Sequence, residues 1–199
     1  LVAANNALWL AQDLDGNLKA ESKILLDSTY ARNGLPEHTD NGLMLNTDNW
    51  IYNAKSRLRY RLEGGKWRRD STEFRGQWGM SHDDEGRLYY NYNWSQLHGD
   101  LVPPNYLSRN KNHTPTTGID HGFTIDRRIY PIRPNPAVNR GYIPGTLDAS
   151  GRLLEFTAAC SPWVLRGGVF PKEYNGNVFV CEPAGNLIKR NAVDKTGFM

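Results

Sequence analysis

Three segments of the chain repeat one pattern: a short apolar strand, a turn rich in Asp, Asn or Gly, and a second strand carrying an aromatic residue. They are Gly42–Asn53, Gly79–Asn91 and Trp163–Cys181. The second strands of the first two segments begin 37 residues apart, at Trp50 and Arg87. A period of this length with strand–turn–strand content is typical of the blades of a β-propeller, which gathers the loops of successive blades around one axis.

The sequence therefore predicts an all-β fold with about three antiparallel blades in one β-propeller domain over residues 1–199. Three blades are too few to close a propeller, which needs roughly 4–8, so we expect the domain to continue in a longer chain. Residues 94–150 contain most of the prolines and no clear periodicity. They are predicted to be an irregular but ordered insertion, because their density of Tyr, Trp, His and Arg argues against disorder.

Charge and hydropathy argue against a nucleic-acid partner and a membrane span. The net charge of +3 is too small to predict nucleic-acid binding, and no apolar run approaches the ~20 residues of a membrane span. One predicted strand alternates cleanly, with Arg57, Arg59 and Arg61 on the same side. Such a row suits the solvated face of an outer blade strand, and nucleic-acid binding is the less favoured alternative.

Two residues share one phase of the repeat. His38 and Arg75 each lie four positions before the first strand of a repeat, at Gly42 and Gly79. In a propeller this phase faces the central axis, so both side chains are expected to open onto one concave surface. His is a suitable general base near neutral pH, and Arg binds anionic groups. The alternative is a turn histidine and a structural ion pair.

The insertion is expected to form the rim of that surface. Within it, Arg140 and Tyr142 flank Gly141. A polar and an aromatic side chain beside a glycine suit close approach of a ligand, so both are predicted to line the cavity.

A short loop near the amino terminus presents oxygen-bearing side chains at alternate positions, Asp13, Asp15 and Asn17, followed by Glu21. Oxygen ligands at such spacing suit Ca²⁺, which makes the loop a weak candidate metal site. The alternative, a hairpin turn that uses Asp and Gly for their backbone preferences, is favoured.

The two cysteines, Cys160 and Cys181, begin and end two neighbouring predicted strands. If these strands pair antiparallel, the two sulfur atoms lie near bonding range, and a disulfide would indicate an oxidising compartment. Two buried free thiols are the equal alternative.

The chain also resembles a known family. The runs that carry the resemblance are Glu37–Met44, Asp48–Tyr52, Arg75–Met80, Tyr89–Asn93 and Asn177–Arg190. Together they look like the glucose/sorbosone dehydrogenase-type propellers, and within these like the membrane-bound dehydrogenases associated with haem-binding domains. The resemblance covers most of the chain from about Trp9 onward.

The resemblance implies a six-bladed propeller in the periplasm, or a secreted one, that oxidises a sugar with pyrroloquinoline quinone (PQQ) and Ca²⁺. It further implies that His38 is the catalytic base, that Arg75 clamps the quinone with Gln77 beside it, and that electrons pass to a c-type cytochrome. The first hypothesis is therefore a quinoprotein-like dehydrogenase acting on a sugar or a related alcohol or aldehyde. The rival hypothesis is a propeller without cofactor that binds carbohydrate or protein.

Overall fold

The computed structural model describes residues 1–32, 34–112, 114, 117–124 and 126–194. Fourteen strands in this part of the chain form four antiparallel sheets. The helical segments described are four turns of 3-10 helix with three residues each, Pro36–His38, Leu107–Arg109, Lys172–Tyr174 and Pro183–Gly185. The predicted all-β fold is confirmed. None of the helices described is long and apolar enough to cross a membrane.

Each sheet is built from strands that are consecutive in the chain and pair with their sequence neighbours. The first sheet contains β1 (Val2–Ala4), β2 (Ala7–Gln12) and β3 (Ser22–Asp27). The second contains β4 (Asn41–Leu45), β5 (Ile51–Ala54), β6 (Ser56–Glu63) and β7 (Lys66–Arg75). The third contains β8 (Met80–His82), β9 (Leu88–Tyr90), β10 (His98–Gly99) and β11 (His121–Gly122). The fourth contains β12 (Cys160–Val164), β13 (Val178–Glu182) and β14 (Leu187–Asn191).

The number of sheets differs from the expectation of about three. Residues 1–27 form a three-stranded sheet of their own, because Val2–Ala4 pairs with Ala7–Gln12, which in turn pairs with Ser22–Asp27. The described residues form no closed ring of blades.

The predicted insertion also contributes more to the fold than expected. Within residues 94–150, β10 and β11 complete the third sheet. The segment that follows the insertion, Gly151–Phe156, adds no strand to that sheet and forms only isolated bridges, Leu147 with Leu153 and Arg128 with Glu155. The rest of the insertion is irregular, as predicted, and it supplies Leu97, Ile129 and Val138 to the core.

Three apolar clusters lie between consecutive sheets. Leu8, Tyr30 and Tyr60 join the first sheet to the second. The second and third sheets share a cluster that includes Tyr52, Met80 and Tyr90, and the largest cluster joins the third sheet, the insertion and the fourth sheet. Burial of this apolar surface, at roughly 25 cal/mol per Å², is the main term that holds the sheets together.

The first strands of the last three sheets approach one another closely at their starts. A Cβ atom on Gly42 would lie 2.6 Å from the Cα atom of Gly79, and one on Gly79 would lie 3.4 Å from the Cα atom of Ser161. Ser161 also donates its backbone N–H to the carbonyl oxygen of Trp78 at 2.8 Å. Glycine at 42, with φ +64°, is therefore needed both for the backbone turn and for the contact between sheets.

Cys160 and Cys181 are direct partners in the register of β12 and β13, as the sequence predicted. Both thiols are free in the structure, so the predicted bond itself is not formed. Burial, together with the nearby Cys181, raises the pKa of the Cys160 thiol. The pair is therefore placed for a disulfide but is held as two half-buried thiols.

Candidate functional site

The surface around His38 lies where the starts of the second and third sheets meet. His38 ends the 3-10 turn that precedes β4, and its side chain is 36 % exposed. Its Nδ1 atom lies 3.2 Å from the amide Nε2 of Gln77, and its ring centroid lies 5.4 Å from that of Trp78. The structure therefore brings together His38 and Gln77, two of the predicted site residues.

The contact with Gln77 couples the tautomer of a neutral His38 imidazole to the orientation of the Gln77 amide. An amide –NH₂ group can only donate, so Nδ1 of His38 accepts the hydrogen bond and the proton resides on Nε2. The Nε2 atom lies 3.8 Å from a carboxylate oxygen of Glu37. In this tautomer it offers an N–H donor to a ligand oxygen, whereas a general base at Nε2 requires the Gln77 amide to be turned over so that its oxygen accepts from Nδ1.

Asn41, which sequence reasoning missed, holds the two sides of this surface together. Its side-chain Nδ2 donates to the carbonyl oxygen of Gln77 at 2.8 Å, and its Oδ1 accepts from the backbone N–H of Gly79 at 2.9 Å. A single amide side chain thus satisfies two backbone groups of the segment that joins β7 to β8. The signal available in the sequence is its position directly before Gly42, at the start of a repeat.

Arg75 does not face the same surface, and the prediction that it opens onto a cavity shared with His38 is wrong. Its side chain is 1 % exposed. Its Nε donates to Asp100 at 2.7 Å, Nη2 to Glu73 at 2.9 Å, and Nη1 to the Thr72 hydroxyl and the Glu73 carbonyl. All three guanidinium nitrogens are thus occupied, and Arg75 is the structural ion pair of the alternative interpretation.

The partners of Arg75 explain why it is held inside the protein. Asp100 is itself 1 % exposed, and burial raises its pKa while Arg75 and the Tyr90 hydroxyl, at 2.7 Å, act to lower it. Two charges removed from water stabilise each other only when each has its hydrogen-bond partners, and here they do. Gly76, with φ +60°, follows directly, and a Cβ atom there would lie 2.8 Å from Tyr90.

The structure places Arg140 and Tyr142 elsewhere. Arg140 lines a cavity of about 280 Å³ together with Trp94, Arg127 and Glu155. Tyr142 is 86 % exposed. Among the described residues, neither forms a hydrogen bond with His38 or Gln77, so their predicted role beside His38 gains no support from the geometry.

In the amino-terminal loop, one carboxylate oxygen from each of Asp13, Asp15 and Glu21 lies within 4.8 Å of the others. The loop is exposed, and its carboxylates accept hydrogen bonds from nearby backbone N–H groups, for example Gly16 to Asp13 at 2.7 Å. Asn17 instead donates to Asp15 at 2.9 Å. These hydrogen bonds are the ones expected of Asp and Asn in a hairpin turn. Calcium binding stays a prediction.

One protein family matches the chain over residues 1–199, and its description is a domain of unknown function, DUF7133. The chain belongs to the DUF7133 family. No curated protein and no solved structure matches it significantly. Any function assigned to this DUF7133 domain must therefore come from its own residues.

A second polar cluster in the DUF7133 domain also went unnoticed in the sequence. The Ser95 hydroxyl lies 2.6 Å from Nε2 of His98, and Nδ1 of His98 lies 3.0 Å from Asp120, which also accepts from Tyr92. This order of hydroxyl, imidazole and carboxylate is that of an activated nucleophile. Ser95 is only 8 % exposed, however, so its hydroxyl is poorly accessible to a substrate. We therefore interpret these hydrogen bonds as structural contacts between β10 and the segment before β11.

Proposed function

We propose that the DUF7133 domain is a β-propeller domain that binds a sugar or a related polyhydroxy compound at the surface formed by His38, Gln77 and Trp78. Two features support the propeller. Apolar clusters lie between each sheet and the next, and the starts of β4, β8 and β12 come into close contact. Successive antiparallel sheets arranged around one axis have this packing.

The observation that carries the binding proposal is the half-exposed His38 imidazole beside Trp78. An N–H donor next to a partly exposed aromatic ring offers a sugar one hydrogen bond and one apolar face. Gln77 contacts the His38 imidazole, and Asn41 in turn holds the backbone of Gln77. The ligand would therefore meet a preorganised surface.

A quinoprotein dehydrogenase is the second candidate, favoured by His38 at the start of a repeat, where the related dehydrogenases are expected to carry their base. The described residues do not fit PQQ, however, because the guanidinium of Arg75 is buried and fully engaged. We therefore derive no oxidation step for this chain. Calcium, a cytochrome acceptor and a periplasmic or secreted location belong to this second candidate.

The two candidates are separated by one pair of measurements. Neutral monosaccharides are titrated into the ¹⁵N-labelled domain, and the histidine and tryptophan side-chain resonances are followed. His38→Ala and Gln77→Leu should abolish the shifts, whereas His121→Ala, an exposed histidine at β11, should not. Absence of any shift with all sugars tested would refute the binding proposal.

PQQ with Ca²⁺ is then added to the same preparations. The binding proposal predicts no saturable change in the quinone absorption band and no sugar-dependent reduction of a dye. A saturable band together with dye reduction that requires His38 would establish the dehydrogenase instead.

A further inference from the structure

A cleft of about 470 Å³ lies at the other end of β4 from His38, between the second sheet and the residues that follow β10. One wall carries Asp48, Trp50, Arg59 and Arg61, and the other carries Tyr106 and Arg109. The volume lies within the range of small-molecule sites, about 300–1,000 Å³. The cleft shares no lining residue with the surface around His38.

The arginine row on β6 turns inward at this cleft. The guanidinium carbons of Arg59 and Arg61 lie 4.1 and 4.4 Å from the ring centroid of Trp50, which is 9 % exposed. The alternation in the sequence predicted a solvated face for these arginines. Instead, the indole holds two cations side by side, which concentrates positive charge on one wall.

The hydrogen-bonding capacity of these cations is only partly used. Arg59 is bound by Asp70 at 2.6 Å, and Nη2 of Arg61 is bound by Glu63 at 2.8 Å. Nε of Arg61 is buried and has no hydrogen-bond partner among the described residues. A buried donor without a partner destabilises the fold, and an incoming acceptor would remove that cost.

Arg109 on the opposite wall adds a third cation. It lies 5.2 Å from the ring centroid of Tyr106 and forms no ion pair within the described part of the chain. Tyr106 is 54 % exposed, so part of its ring is accessible to a ligand. Guanidinium groups bind carboxylates and sulfates through two parallel hydrogen bonds, so the cleft is suited to an anion.

Asp48 decides which kind of anion is expected. Its oxygens accept from the backbone N–H of Trp50 at 3.0 Å and from the Tyr52 hydroxyl at 2.7 Å, which keeps a carboxylate at the edge of the cleft. A polyphosphate would be repelled there, whereas a sugar hydroxyl can donate to it. The ring of Trp50 already packs against two guanidinium groups, so only Tyr106 offers an aromatic face.

We propose that this cleft binds an acidic saccharide, a sugar whose ring packs on Tyr106 and whose carboxylate or sulfate is bound by Arg61 and Arg109. The proposal does not depend on the surface around His38. A domain that fails to bind neutral sugars at His38 would still bind acidic ones here.

Isothermal titration calorimetry tests the proposal with trigalacturonate, its fully methyl-esterified form, a monosulfated disaccharide, AMP and inorganic sulfate. We expect the trigalacturonate or the sulfated disaccharide to bind at least tenfold more tightly than the ester, AMP and sulfate, and to weaken when NaCl is raised from 50 to 300 mM. The proposal is overturned if neither the trigalacturonate nor the sulfated disaccharide binds more tightly than the ester, or if AMP or inorganic sulfate binds more tightly than both.

Variants then assign the binding to the cleft. Arg109→Gln and Tyr106→Ala should each weaken the acidic sugar at least tenfold. Arg140→Gln, which changes an exposed arginine on another cavity, should leave its affinity unchanged. Circular dichroism and thermal melting check that each variant is folded. Unchanged affinity in both cleft variants, or equal loss in Arg140→Gln, would refute the assignment.

Discussion

Asp27 is the residue whose replacement should reveal most about how the sheets are joined. It ends β3, and its side chain is 2 % exposed. One oxygen accepts from the Thr29 backbone N–H and hydroxyl at 2.8 and 2.6 Å. The other accepts from the Tyr60 hydroxyl at 2.8 Å and from Arg69 at 3.0 Å, both on the second sheet. A single carboxylate therefore joins the first two sheets.

The magnitude follows from the pKa of this carboxylate. Burial acts to raise the pKa, but the hydrogen bonds from Thr29, Tyr60 and Arg69 outweigh it and lower the pKa of Asp27 to about 2 from 3.8. The unfolded chain therefore binds the proton more readily than the folded one. At 1.36 kcal/mol per pKa unit, ionisation of Asp27 contributes about 2 kcal/mol of stability above pH 5, which is lost as the pH falls from about 4 toward 2.

Urea denaturation of the wild type and Asp27→Asn at pH 6 and pH 3 measures this term. The variant should be less stable by about 2 kcal/mol at pH 6, and the gap should narrow by about 1 kcal/mol at pH 3. Asp126→Asn is the control, because Asp126 is half exposed and its partner Arg128 lies only two residues away, so solvent screens the pair and the unfolded chain can form it too. A gap that does not depend on pH, or an equal effect of Asp126→Asn, would refute the reasoning.

Three further predictions follow from the packing. Arg75→Met should destabilise the fold by about 3–5 kcal/mol in urea denaturation, because it leaves buried carboxylates without a counter-charge; a change below about 1 kcal/mol would contradict the buried network. Gly42→Ala should cost clearly more than Gly64→Ala, since both have positive φ but only the former meets another backbone, and equal melting temperatures would argue against the contact between sheets. With oxidised glutathione, Cys160 and Cys181 should form an intramolecular disulfide; mass spectrometry that shows two glutathione adducts or disulfide-linked dimers would count against their register.

Local patterns in the sequence were sufficient for much of the fold. The repeat over Gly42–Asn53 predicted β4 and β5, and the alternation of Arg57, Arg59 and Arg61 predicted β6, because both patterns depend only on residues close together in the chain. The register of Cys160 with Cys181 followed from the same local reasoning. The third sheet was harder, because β10 and β11 have two residues each and lie 22 residues apart.

The candidate site was harder to predict because burial depends on residues distant in sequence. Asp100, in the insertion, accepts from Arg75 and from Tyr90, and no pattern around Arg75 indicates this partner. Likewise, the alternation of Arg59 and Arg61 gives their common side of the strand but not the indole that covers it. Contacts with a neighbouring strand or with the insertion can bury a residue that the sequence pattern predicts to be exposed.

The failure at Arg75 also shows what equal spacing in a repeat does and does not determine. His38 reaches its strand through a 3-10 turn, which leaves the imidazole outside any sheet. Arg75 is the last residue of β7 and pairs with Ser56, so the sheet fixes the direction of its side chain before the chain turns at Gly76. The first residue free of β7 with a polar side chain is Gln77, and that residue contacts His38. The equal spacing in the repeat thus predicted correctly that the segment after β7 contacts His38. The end of β7 determines which side chain of that segment makes the contact.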